Sequence, residues 1–73
     1  MADLRTLTQA DVDVIVESEV VIWENIKGPM QWDAIALDVG NIIYRMIRRD
    51  IIDAPADIDG MIDRAIDVFA SPL

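Results

Sequence analysis

The chain contains no cysteine and no histidine. The first absence excludes disulfides, thiolate zinc sites, iron–sulfur clusters and cysteine nucleophiles. The second removes the usual general base at neutral pH and the commonest transition-metal ligand. Basic residues are scarce: 6 Lys and Arg face 14 Asp and Glu in 73 residues, a formal charge of −8. Such a charge opposes direct contact with nucleic acid or with an anionic membrane. Long apolar runs are also missing, so nothing has the length of a membrane span. The opening Met1-Ala2-Asp3-Leu4-Arg5 has no basic stretch followed by an apolar one. It does not read as a secretory signal, and the expected compartment is the cytoplasm.

What is present is apolar and β-branched. Hydrophobic residues make up 53% of the chain, with 12 Ile and 7 Val against 4 Leu. The mean hydropathy of +0.30 is too high for a disordered acidic chain. The length fits a single domain over residues 1–73. A domain this small buries only about 60% of the surface that its unfolded chain exposes. Without disulfides or metal, oligomerisation or a larger partner remains as extra support.

Gly28-Pro29 and Asp53-Ala54-Pro55 divide the chain into three segments with helical periodicity. The first helix is expected over residues 9–27, started by Thr8 with Asp11 as a capping box. Its inward stripe is Val12, Ile15, Val16, Val20, Trp23 and Ile26. A strand over residues 12–16 is the competing reading, because β-branched residues favour strands. The second helix is expected over 30–50, with Trp32, Ile35, Ala36, Val39, Ile42, Ile43, Met46 and Ile47 inward. The third is expected over 55–70, with Ile58, Met61, Ile62, Ala65, Ile66 and Phe69 inward and Pro72 ending it. Gly40 and Gly60 fall inside predicted helices, where close approach of another backbone or a local bend would explain them. The expected fold is all-α, a small three-helix bundle whose first two helices form an antiparallel hairpin.

Asp59, Asp63 and Asp67 repeat every four residues, which sets three carboxylates about 6 Å apart along one helix face. The row reads either as a solvated face or as a surface for a basic partner, with Asp53 and Asp57 extending it. Arg45, Arg48 and Arg49 form the one basic cluster and are expected in ion pairs within the chain or across an interface. Glu19 projects into the apolar stripe of the first helix, where an arginine partner would offset its burial. Val14 and Val21, and Leu37, Tyr44 and Ile51, form second apolar ridges spaced by seven residues. One small core does not cover both sides of two helices, so these ridges are candidate partner or homodimer contacts. Trp23, Trp32 and Tyr44 are read as core, and whichever is exposed becomes the anchor candidate.

Two known patterns fail on inspection. Residues 55–66 match an EF-hand loop at Asp57, Asp59, Gly60, Ile62 and Asp63. Its first and twelfth positions, however, are Pro55 and Ile66, so the opening and closing ligands are missing. In size and charge the chain resembles acyl carrier proteins, but that family modifies a serine in Asp-Ser-Leu at a helix start. Here Glu17-Ser18-Glu19 lies within a predicted helix and lacks the leucine. No cofactor or metal is expected, and nothing in the sequence supplies the pocketed carboxylates that acid–base catalysis needs.

The function expected from these residues is therefore non-enzymatic binding of another protein. In size and charge the chain is similar to DNA mimics and anti-CRISPR proteins, the small acidic inhibitors that phages and mobile elements direct at nucleic-acid-binding machinery. The alternative is a structural or assembly module acting through the apolar ridges: an obligate homodimer, a small complex subunit or an antitoxin.

Overall fold

A computed structural model describes residues 5–70. Pro72 and the residues before Arg5 lie outside that range. The described chain runs β1 (Arg5–Thr6), α1 (Gln9–Ile22), a π-helical turn (Trp23–Lys27), α2 (Trp32–Arg48), β2 (Ile52–Asp53) and α3 (Ile58–Ala70). The three helices pack against one another around a single core. The fold is the small all-α three-helix bundle that the periodicity predicts.

α1 begins as a capping box. Thr8 Oγ1 accepts from the Asp11 amide at 3.2 Å, and Asp11 Oδ2 accepts from the Thr8 amide at 3.0 Å. Leu7, just before the cap, and Val12 both enter the core, at the two positions of a hydrophobic staple. The competing strand over residues 12–16 does not form. Val12 and Val16 instead lie one helical turn apart in the core.

Past Ile22 the helix widens into the π turn, and this changes which residues face inward. Trp23 is buried, and its Nε1 donates to the Pro29 carbonyl at 2.8 Å. Ile26, expected in the core stripe, is exposed. The longer i→i+5 repeat turns the chain less per residue, so Ile26 falls short of the inward direction. Gly28 then takes φ +92° and ψ −137°, a conformation open to glycine alone.

α2 is shorter than predicted at both ends. Met30 and Gln31 precede it, and it closes in a Schellman motif. The Ile51 amide donates to the Met46 carbonyl at 2.9 Å and the Asp50 amide to that of Ile47 at 3.1 Å, with Asp50 at φ 55°. Ile51 is therefore off the helix, and the seven-residue ridge ends at Tyr44. Beyond the reversal, Ile52 pairs in parallel with Arg5, and Asp53 with Thr6. This two-residue pairing was not expected. It brings Leu7 and Ile52 into the core and starts α1 and α3 side by side, in the same direction.

α3 starts at Ile58, three residues later than expected, because Asp57 caps it. The two helical glycines have different explanations. At Gly60 the approaching group is the Asp57 side chain: a Cβ there would overlap the Asp57 carboxylate. At Gly40 a Cβ would meet only Ile62 Cδ1, at an ordinary 3.9 Å, so no close approach requires glycine. The body measures 44 × 24 × 15 Å, thin enough that every helix keeps an outer face in solvent.

Candidate protein-binding faces

Asp59, Asp63 and Asp67 are all exposed along the outer side of α3. The one cation near them in sequence, Arg64, turns toward α1. Its Nε donates to Gln9 Oε1 at 3.0 Å, and its Nη1 lies 3.5 Å from Asp57 Oδ2. Gln9 in turn donates to the Met61 carbonyl at 2.8 Å and to Asp13 at 3.1 Å, which ties the start of α1 to α3. Arg5 pairs with Asp11, and Arg64 with Asp57; among the described residues no member of the carboxylate row takes part in an ion pair. Of the proposed extensions, Asp53 is exposed on β2, while Asp57 is occupied as a cap and by Arg64.

Tyr44 is the exposed aromatic residue, at 53%, while Trp23 is buried and Trp32 partly so. It lines a shallow groove of about 260 Å³ with Pro55, Ala56, Asp57, Ile58 and Asp59. The groove joins the apolar ridge of α2 to the first carboxylate of the row. α2 runs antiparallel to α3, with Gly40 level with Ile62 and Tyr44 level with Ile58. By the same register Leu37 is level with the Ala65–Ile66 turn, two turns from Tyr44 along the exposed side of α2. Tyr44 and Asp59, unconnected in the sequence, thus share one groove.

Of the two expectations for the basic cluster, ion pairs within the chain do not form among the described residues. Arg45, Arg48 and Arg49 are solvent-accessible, and none is in an ion pair among the described residues. Glu19 is partly buried at the seam of α1 and α2, where it lines a second shallow groove of about 220 Å³ with Asp38, Asn41, Ile42 and Arg45. Glu19 and Arg45 therefore share a groove without forming a contact ion pair. Val14 and Val21 are exposed on α1, a different helix from Leu37 and Tyr44.

Asp11 carries the one titration shift resolved in the described chain. The hydrogen bond from the Thr8 amide holds its pKa below the ordinary carboxylate value, with Thr8 Oγ1 and Arg5 adding smaller effects against partial desolvation. This carboxylate serves the cap and is not a member of the α3 row. Among the described residues no three carboxylates converge in the manner of a metal site. No helix among them is long and apolar enough to cross a membrane.

No protein family model matches the sequence, and no curated protein or solved structure is significantly similar to it.

Proposed function

We propose that the chain is a non-enzymatic binding protein whose α2–α3 face docks on a basic surface of another protein. The observation that carries this reading is the meeting of Asp59 and Tyr44 in one groove, at the head of a carboxylate row that no cation contacts among the described residues. Carboxylates spaced along a helix engage the same Lys and Arg side chains that contact phosphates. The face thus suits a groove that otherwise holds nucleic acid. Tyr44 supplies the rigid apolar anchor that an electrostatic encounter lacks. The finer reading is an inhibitor or modulator of nucleic-acid-binding machinery, acting by occupancy in the manner of DNA mimics and anti-CRISPR proteins in the cytoplasm.

The test is paired capture from a lysate of the source cell, with the wild type and D59K/D63K/D67K as baits. A basic nucleic-acid-binding protein should be held by the wild type, released by about 0.5 M salt and absent from the variant. Equal retention by both baits would remove the carboxylate row from the mechanism.

A second reading, assembly through apolar ridges, is supported by the exposure of Leu37 and Tyr44 on α2. It expects a dimer in sedimentation that is indifferent to salt and dissociated by Y44A.

A further inference from the structure

The outer face of α1 carries a different surface. Val14, Ser18, Ile22 and Ile26 follow one another at four-residue intervals, and Val21 lies beside them one turn from Ser18. The four apolar members are between 44% and 76% exposed. The stripe is opposite Val12, Val16 and Val20, which the core takes. The π turn lengthens it, because the rotation that draws Ile26 out of the core sets it beyond Ile22. From Val14 to Ile26 the stripe runs about 18 Å, the length of a partner helix of three to four turns.

The charges along it are acidic as far as Ile26, and the first base of the segment, Lys27, follows at its end. Residues 9–26 contain Asp11, Asp13, Glu17, Glu19 and Glu24, and neither lysine nor arginine. Glu17 and Glu24 follow Val14 and Val21 by three residues each, so they form an exposed acidic edge along the stripe. Two α1 helices of the same chain, packed stripe to stripe and antiparallel, would bring these edges together and desolvate carboxylates against carboxylates. An apolar stripe with an acidic edge complements a helix with an apolar face and lysine or arginine along its flank. We infer that the outer face of α1 receives a basic amphipathic helix of a partner protein. This stripe is on α1 and the Tyr44–Asp59 groove is on α2 and α3, so the chain presents two separate contact surfaces.

The test uses the full ¹⁵N-labelled chain and a synthetic four-turn helix with leucines on one face and lysines on the other. Amide shifts at Val14, Ser18, Val21, Ile22 and Ile26 are the expected result. Binding should weaken at least about tenfold in V14S/V21S/I26S. These side chains lie outside the core, and serine is close to valine in helix propensity, so the variant keeps its fold; an unchanged circular dichroism melt verifies this. Shifts confined to Asp59, Asp63 and Asp67 and abolished by salt would overturn the inference, because the probe would then be reading charge alone. So would a free chain that sediments as a dimer through α1, since the occupant would be a second copy.

Discussion

The Asp57 carboxylate lies over Gly60: Oδ1 accepts from the Gly60 amide at 3.1 Å, and a Cβ at residue 60 would overlap Oδ2. Cap and glycine are therefore one device. Alanine at residue 60 adds up to about 1 kcal/mol of helix propensity. It also displaces a cap that contributes about 1 kcal/mol. G60A should change stability by less than about 0.5 kcal/mol in the wild type and stabilise D57A by about 0.5–1 kcal/mol. Urea unfolding of the wild type, the two single variants and the double variant measures this coupling. Equal stabilisation in both backgrounds would mean that the carboxylate does not depend on the missing Cβ.

Gly40 is the contrasting position. It lies inside α2, and a Cβ would make only a van der Waals contact with Ile62 at 3.9 Å. G40A should stabilise the chain by about 0.5–1 kcal/mol. A loss in thermal or urea melts would show that α2 and α3 approach more closely than this.

Asp50 and Gly28 should respond in opposite senses to exchanges between glycine and other residues. Asp50 holds φ 55° at the end of α2, where glycine has no Cβ penalty, so D50G should stabilise by about 0.5–1 kcal/mol. A methyl group added at Gly28 would find no atom within 4 Å, yet the φ of +92° disfavours any side chain. G28A should therefore destabilise by about 1–3 kcal/mol through backbone strain alone. Chemical denaturation of the two single variants reads both signs.

The capping box predicts a pH effect. Asp11 has its pKa lowered from 3.8 by the Thr8 amide, so its ionised form is favoured in the folded state. The stability it adds is fully present above pH 3.8 and is lost as the pH falls through its lowered folded value. The difference in urea midpoint between wild type and D11N should be constant near neutrality and shrink in acid. T8A, which removes the reciprocal bond, should destabilise by about 1 kcal/mol at neutral pH.

Much of this architecture is legible in the chain. Thr8 and Asp11 mark the first helix start, Gly28-Pro29 marks its end, and the apolar spacing picks out most of the core. Those signals are local, and they act within a few residues. Two departures are local changes of helix geometry that apolar spacing does not register, and the third is a contact between distant segments. Ile26 obeys the α-helical period, but the π turn removes it from the core. Ile51 fits a seven-residue ridge, but Asp50 reverses the chain first; the polar run Arg48-Arg49-Asp50 was the available sign of that end. The β1–β2 pair joins segments that are distant in sequence and only two residues long, too short for any periodicity to register.

The sequence by itself determined the acid excess, the absence of thiol and imidazole chemistry and the three helical stripes, because composition and periodicity are properties of residues and their near neighbours. Only the tertiary structure decided which acids are unengaged. It draws Asp57 into a cap and turns Arg64 toward Gln9, leaving the Asp59–Asp63–Asp67 row without a contacting cation among the described residues and next to Tyr44. It also decided that the ridges of α1 and α2 stay outside, because a thin three-helix body buries one stripe of each helix and has no further layer to cover a second.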